Sequence, residues 1–365
     1  MVGEVLSDGL NGVVLSGMRP TGQLHIGHFE AVLRNWVDLQ NKHECFYFVA
    51  DWHASTTKPD TNEIPEYAID NVKDWIAFGV DPEQSVIFAQ SHVSEHFELA
   101  TYLMPLVNYG RLLRLPTFKG YVESLAAQKK IKIPSKIERA GMTLEEQRTL
   151  EKRLEEIARS EVTAGFLIYP IVQAADILLY GTTDVPVGED QIPHVELTAE
   201  LAKKFNNLYG EAFVVPKANL IEVKRVRGID GRKMSKSYAN VIFPGSDERT
   251  LRKKVRSIRS VRPRLEDKGD PFECPVFDLH QIYSSKEREL EVMNGCKDAS
   301  ISCGGCKQGI AEKVADTYAD FQRRKVVIND SFVKEVLVDG NKKAQQRALE
   351  KISQVRDYMS FNYAR

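Results

Sequence analysis

The stretch that most constrains this chain is Ser16 to His28. The apolar run Gly12-Val13-Val14-Leu15 enters a loop of turn formers, Ser16-Gly17-Met18-Arg19-Pro20-Thr21-Gly22-Gln23-Leu24, which empties into His25-Ile26-Gly27-His28. Ile26, Phe29, Leu33, Trp36 and Val37 repeat at the spacing of one helix face. The segment therefore reads as strand, tight loop and helix, with both histidines in the first helical turn. A helix start leaves N–H groups unpaired and carries the positive end of the dipole, so it favours an anion such as phosphate. Imidazoles there add donors aimed at the same oxygens, and Gly27 leaves room for a flat ring against the backbone. Two histidines in such a place commonly serve only the helix, so the rest of the chain has to decide.

With 365 residues, 42% of them apolar and 28% charged, the chain is long enough for two domains around a large core. Its start, Met1-Val2-Gly3-Glu4-Val5-Leu6, lacks a basic segment followed by an apolar one. No apolar run reaches the roughly eighteen residues of a membrane span, so a cytoplasmic protein is expected. The net charge of −1 assigns any nucleic-acid partner to a local basic surface rather than to overall charge. Four of the five cysteines crowd between 274 and 306, which argues for metal or cluster chemistry and against a secreted disulfide frame.

Downstream, Cys45-Phe46-Tyr47-Phe48-Val49-Ala50 reads as a buried parallel strand ending at Asp51-Trp52-His53, with Cys45 in the core. A helix from Pro65 to Phe78 and a strand from Ser85 to Gln90 continue the alternation. The expected fold is α/β, a doubly wound parallel Rossmann-type sheet with a smaller all-helical C-terminal domain. Ligands of such sheets sit at the carboxyl ends of strands, which places Gly17 to His28, Asp51 and Gln90 around one crevice. Between about 120 and 162 the composition turns to Lys, Glu and Arg. Thr143-x-x-Glu146 reads as a capping box, Glu155 and Arg159 give a solvated face, and the stretch is expected as a surface helical insertion.

Gln173 and Asp176 lie three apart in the apolar helical run Tyr169 to Tyr180 and point the same way. A buried, unpaired carboxylate costs several kcal/mol, roughly, so Asp176 needs a partner, as an internal cap, an ion pair or a ligand contact. A helix over 196–208 and a strand at Phe213-Val214-Val215 lead to Gly231-Arg232-Lys233-Met234-Ser235-Lys236-Ser237, a polar loop with two lysines. After it, Leu251, Val255 and Ile258 form one helical stripe; eight basic residues and no acid occupy 249–264. Such a run is either a solvated face or a phosphate contact. The remainder, from Tyr283, reads as helices apart from the cysteine segment.

Pro-x-x-x-x-His-Ile-Gly-His together with Lys-Met-Ser-Lys-Ser resembles the two signatures of the class I aminoacyl-tRNA synthetases. Ala174-Ala175-Asp176-Ile177-Leu178-Leu179-Tyr180 with Val185-Pro186-Val187-Gly188-Glu189-Asp190-Gln191 resembles the tryptophanyl-tRNA synthetases specifically. The resemblance spans nearly the whole chain and implies activation of L-tryptophan by ATP with Mg²⁺, release of pyrophosphate, and transfer to the 3′ end of a tRNA. It implies that His25 and His28 stabilise charge at the α-phosphate and that Lys233 and Lys236 hold the departing pyrophosphate. Arg19, Pro20 and Thr21 would lie on the ATP side with Met234, Ser235 and Ser237. Gly27 and Asp190 would seat the adenosine, flanked by Gly188 and Glu189. Tyr169 and Gln191 would hold the α-amino end, with Gln173 nearby, and Asp176 would accept the indole N–H. Arg252, Lys253 and Arg256 would contact tRNA. A homodimer is implied, divided into a catalytic domain over 1–245, a helical anticodon-binding domain over 246–345 and a C-terminal helix over 346–365.

Many bacterial relatives carry Thr-Ile-Gly-Asn where this chain has His-Ile-Gly-His, and methionine where Gln173 stands. The tyrosyl-tRNA synthetases share the resemblance; a regulatory paralogue without catalysis, and a small nucleotidyltransferase with a similar His-x-Gly-His, are the other readings. The intact histidines and lysines argue against the paralogue, and the lysine loop and basic helix against the nucleotidyltransferase.

Cys274, Cys296, Cys303 and Cys306 form Cys-x21-Cys-x6-Cys-x2-Cys within 33 residues. The glycines between Cys303 and Cys306, and Gly295 before Cys296, let the thiolates turn toward one point. Zinc usually shows two close cysteine pairs, and here one pair is close. An iron–sulfur cluster accepts that asymmetry. The placement also resembles a subset of tryptophanyl-tRNA synthetases that carry a 4Fe-4S cluster near the anticodon-binding part, so the cluster is expected before zinc, in a structural role, with Lys297 or Lys307 facing the anticodon.

Overall fold

The computed structural model describes residues 11–220, 226–262, 264 and 266–363. Strands β1 (Val13–Met18), β2 (Glu44–Val49), β3 (Ser85–Ala89), β4 (Asp184–Val187) and β5 (Lys217–Leu220) form one parallel sheet in the order β3-β2-β1-β4-β5. The chain reverses its direction of travel across the sheet between β3 and β4, so β1 and β4 flank the switch point where open α/β sheets bind ligands. The continuous apolar strands are explained by burial on both faces. Phe46 and Phe48 of β2 join one core layer with Phe88, Ile171 and Leu178. Cys45, Tyr47 and Val49 join the other with Trp36 and Trp75.

The first helix is not uniform. A turn at Ile26–His28 widens into a π-helical segment, Phe29–Leu33, before the α-helix Arg34–Leu39. The wide turn carries Glu30, whose Oε1 accepts from Tyr283 (2.9 Å) and Tyr318 (2.7 Å), while Arg34 forms a two-pronged bond to the same carboxylate. Phe29 packs edge-on against Tyr318 and Phe321. The C-terminal helices thus share a core with the signature helix; Met234, Leu251, Val255 and Val276 lie in that same layer.

Helix Ile64–Phe78 begins with Pro65 in its first turn, as expected. Asp51-Trp52-His53 does not end the second strand but opens a short helix, Asp51–Ser55. The strand expected at Phe213-Val214-Val215 is absent. Asn206 takes the backbone groups a strand would pair, accepting from Phe213 N–H (3.0 Å) and donating to Phe213 O (2.8 Å). The Phe213 ring turns onto Phe205, and β5 forms beyond Pro216. The charged insertion comprises helices Pro116–Gln128, Lys136–Ala140 and Leu144–Glu161 around a small core of Val122, Ala126 and Ile157. Its Thr143–Glu146 capping box is present. Among the described residues, no single helix is long and apolar enough to cross a membrane.

The last helix, Asp330–Tyr358, is continuous across position 345 and lies along the outer edge of β3. Asn341 Oδ1 accepts the Ala89 N–H at 2.9 Å, and a Cβ built on Gly340 would stand 1.8 Å from the Ile87 carbonyl oxygen. Only glycine allows this approach, which covers a strand edge otherwise open to pairing. Replacing Gly340 by Ala is expected to cost about 1–3 kcal/mol through overpacking. Gly120, exposed in a helix with nothing within 4 Å of a Cβ, should gain about 0.5–1 kcal/mol on the same change. Urea midpoints of the two variants should move in opposite directions; equal midpoints would contradict the close-approach account.

Candidate active site

His25 is the N-cap of the first helix, and its Nδ1 accepts the Gly27 N–H (3.2 Å) while His28 Nδ1 accepts the His25 N–H (3.2 Å). The motif is a capping box made of two imidazoles. Because each Nδ1 is an acceptor, each neutral ring carries its proton on Nε2 and offers it outward. Burial, then the nearby Lys236 charge, brings His25 down to about 4; burial, His25 and Lys236 bring His28 down to about 3. At neutral pH the pair presents N–H dipoles rather than charges. Gly27 has a second duty here, since a Cβ on it would meet the His25 ring at 3.0 Å.

The lysine loop reaches this corner from more than two hundred residues away. Lys236 Nζ donates to the Thr21 carbonyl (3.2 Å), and a Cβ on Gly22 would lie 3.0 Å from that ammonium. Burial lowers Lys236 to about 8. Met234 is buried, Lys233 is exposed, and Arg232 sits over the Tyr238 ring at 4.5 Å.

On the other side, helix Ala164–Leu179 carries Asp176, 1% exposed. Its Oδ2 meets His53 Nε2 at 2.8 Å, its Oδ1 meets His96 Nδ1 at 2.6 Å, and Gln90 Nε2 donates to both oxygens at 3.0 Å. His96 Nε2 lies 2.9 Å from the Tyr180 hydroxyl. Burial alone would raise the Asp176 carboxyl, but the charge and hydrogen bonds of His96 and His53 outweigh it and hold the group well below the usual range. Burial and then Asp176 push Tyr180 far up, so it stays a phenol. Gln90 is therefore in the crevice as expected. Asp51 is spent on Ser91, accepting both its N–H and its hydroxyl.

The segment after β4 lines the same crevice. Gln173 Nε2 donates to Gln191 Oε1 (3.4 Å), Gln191 Nε2 donates to Asp190 Oδ2 (2.9 Å), and Tyr169 hydroxyl meets His194 Nε2 (3.2 Å), which Thr117 also touches at 2.9 Å. A Cβ on Gly188 would crowd Asp190 Oδ1 at 3.0 Å. The contacts of His96, Tyr180 and Thr117 were not legible: His96 and Thr117 are each one of several polar residues in their helices, and Tyr180 closes a motif that says nothing of His96. The one cue was that Asp176 had to be paired.

The cysteines occupy a separate place. Cys274 precedes helix Pro275–Tyr283, Cys296 sits near the end of helix Lys286–Lys297, and Cys303 and Cys306 are in the first turn of helix Cys303–Val327. All four line one cavity with Val276, Phe277, Val292 and Ile301. They are free thiols; burial and then the neighbouring sulfurs push Cys306 up to about 12. Arg262 Nε donates to Cys303 Sγ (3.3 Å), Nη2 donates to Ile301 O (2.7 Å), and its Nη1 is buried without a partner. Among the described residues, no three His, Cys, Asp or Glu side chains are placed to hold a single metal ion. On helix Glu248–Arg256, Lys253 and Arg256 are exposed, whereas Arg252 is half-buried and paired with Glu248 (2.7 Å) and Asp316 (3.8 Å).

Comparison with known proteins places this geometry. Residues 11–319 match the family model of tRNA synthetases class I (W and Y). The chain is 42% identical to a tryptophan–tRNA ligase of Thermotoga maritima, over 96% of this chain and 99% of that one, and 34% identical to one of Ralstonia nicotianae over the same shares. A tryptophanyl-tRNA synthetase of Campylobacter jejuni, solved with ADP and tryptophan, superimposes with a TM-score of 0.77 at 31% identity, covering 95% of this chain and 99% of that one. The two signatures that meet through Lys236 and Thr21, and the Asp176 pocket beside them, lie within the matched residues, and the likeness runs along almost the whole length: the chain belongs to the class I tRNA synthetases of the tryptophan and tyrosine family, among the tryptophan–tRNA ligases.

Proposed function

We propose that the crevice joins L-tryptophan to ATP and passes the tryptophanyl group to the 3′ end of its tRNA. In the first step a tryptophan carboxylate oxygen bonds to the α-phosphorus of ATP as the bond to the β-phosphate oxygen breaks, and pyrophosphate leaves with Mg²⁺ held mainly by phosphates. In the second a terminal ribose hydroxyl attacks the carbonyl carbon, loses its proton, and AMP departs. The observation that carries this reading is the meeting of Lys236 with the Thr21 loop over His25 and His28. It supports a site that works by positioning and charge stabilisation rather than by a covalent intermediate.

His25 and His28 aim their Nε2–H groups at the α-phosphate, and Lys233 and Lys236 receive the pyrophosphate. Arg19, Pro20, Thr21, Gly27, Gly188, Glu189, Asp190, Met234, Ser235 and Ser237 surround the nucleotide. Tyr169, Gln173 and Gln191 hold the polar end of tryptophan. Asp176 accepts the indole N–H; its lone pairs are all engaged beforehand, so the indole takes one of the two positions bridged by Gln90. Residues 1–245 serve as the catalytic part and 246–345 as the anticodon-binding part, in a cytoplasmic homodimer, with Lys253 and Arg256 the tRNA contacts and Arg252 engaged within the helix surface.

The cysteine cavity is read as the seat of a 4Fe-4S cluster held by Cys274, Cys296, Cys303 and Cys306. Four thiols around one apolar cavity suit a group larger than a single ion, and the unpartnered, buried Arg262 nitrogen suits an anionic one. The cluster would supply cross-links between helix ends. Zinc, which wants four ligands converging on one point, is favoured less.

Five outcomes test these roles. Lys236→Ala should lower tryptophan-dependent ATP–pyrophosphate exchange far more than tryptophan binding. With an ammonium near 8, kcat/KM for ATP should fall as pH rises through about 8, because the cation is lost; Lys236→Arg should remove that limb. Tryptophan rather than tyrosine should drive the exchange. Asp176→Ala, deleting a charged-acceptor bond worth roughly 1.5–3 kcal/mol, should erode discrimination against phenylalanine; unchanged discrimination would refute the assignment. Protein purified without oxygen should be coloured and contain iron and sulfide, both lost with Cys303→Ser. Stoichiometric zinc without iron would replace the cluster by zinc.

A further inference from the structure

The lysine loop has little regular structure of its own. An isolated antiparallel bridge joins Arg227 to Lys233, and one turn, Lys236–Tyr238, closes the far side. What sets its backbone is a side chain beyond the motif. Asn240 is 1% exposed, and its Oδ1 accepts the Ser235 N–H at 2.8 Å. Its Nδ2 donates to the Lys233 carbonyl at 3.1 Å and to Asp230 Oδ1 at 2.8 Å.

Both peptide groups flanking Met234 are therefore held by one buried amide, while the Met234 side chain is anchored in the core. The surroundings are shaped to admit that amide. A Cβ on Gly228 would meet Asn240 Nδ2 at 2.3 Å, and the Asn240 carbonyl accepts the Ile229 N–H at 3.0 Å. Ala239 takes a left-handed conformation, φ 51°, a turn that L-residues adopt at a cost. That turn brings Asn240 back beneath the loop.

We infer that Asn240 is a positioning residue for nucleotide activation: by clamping the Lys233 carbonyl and the Ser235 N–H it fixes where Lys233 and Lys236 stand. The inference rests on the reading that these lysines receive pyrophosphate, and deepens it by naming what holds them. Asparagine suits the task because one side chain must accept from the peptide group after Met234 and donate to the one before it. Without it the Ser235 N–H and Lys233 carbonyl lose their partner, and the loop loses the arrangement in which Lys236 reaches Thr21. Misplacing a charge-stabilising group by about 1 Å costs on the order of 10²-fold in rate.

The test uses the full chain and separates ATP from tryptophan. Asn240→Ala should lower kcat/KM for ATP in pyrophosphate exchange by about 10²-fold and leave the dissociation constant for tryptophan within about twofold, since a transition-state contact is lost and a ground-state one is not. Asn240→Asp keeps the acceptor for Ser235, removes the donor to Lys233, and faces the Asp230 carboxylate. It should be impaired, and Asn240→Asp combined with Asp230→Asn, which restores the 230–240 hydrogen bond but not the donor to Lys233, should stay impaired in the ATP parameter; full recovery would assign the role to the 230–240 bond alone and overturn the inference. A general packing defect would lower the tryptophan and ATP parameters together. If Asn240→Ala matches wild type while Lys236→Ala is impaired, the inference fails; if neither variant is impaired, the reading of the lysine loop fails. Should Asn240→Ala not fold, Asn240→Asp, alone and combined with Asp230→Asn, decides the matter, and a wild-type ATP parameter in either overturns the inference.

Discussion

A sheet buried on both faces has nowhere to put polar chemistry except at its strand ends, and this constraint orders the whole molecule. The strand bodies alternate between two apolar layers, so β2 gives Phe46 and Phe48 to one and Tyr47 and Val49 to the other. The polar groups of the crevice gather at the carboxyl ends, where β1 leads to His25 and His28, β2 to His53, β3 to Gln90, and β4 to Asp190 and Gln191, and where the helix of Asp176 and the lysine loop join them. Parallel strands place these ends side by side although they lie far apart in the chain.

The two halves of the crevice treat charge in opposite ways. Around the first signature, burial and Lys236 strip charge from both histidines, leaving the Lys236 ammonium as a full cation next to two neutral dipoles. Around Asp176, two imidazoles and an amide keep a fully buried carboxylate ionised. An anionic nucleotide and an amphipathic amino acid need such different environments within one cavity. Low dielectric makes each setting effective and makes any unpaired member costly.

Much of this arrangement was readable from the residues alone, because the responsible signals are local. His25 to His28 sit at a helix start signalled by its own periodicity, and Lys233 to Ser237 form one short loop. The cysteines declare themselves by crowding. What escaped reading depends on contacts across the chain. His96 lies in a helix indistinguishable from core, and Asn240 looks like an ordinary loop asparagine. Glu30 looks like a surface acid until Tyr283 and Tyr318 close over it. Lys217-Ala218-Asn219-Leu220 has too little apolar character to announce a strand and pairs because β4 offers it an edge. Phe213 was misleading because its apolar neighbours serve side-chain packing while Asn206 occupies its backbone.

The covering of β3 by the helix Asp330–Tyr358 has a temporal side. Strand β3 is made well before the helix that seals its outer edge, which lies more than two hundred residues further along the chain. Until that helix is made, the backbone of Ser85–Ala89 therefore faces solvent with its outer pairing groups unclaimed, in a segment as apolar as Val86-Ile87-Phe88. The nascent chain must survive that interval, so the later helix acts as an intramolecular shield for the earlier strand, and a ribosome stalled short of residue 330 would leave a sheet with one sticky side.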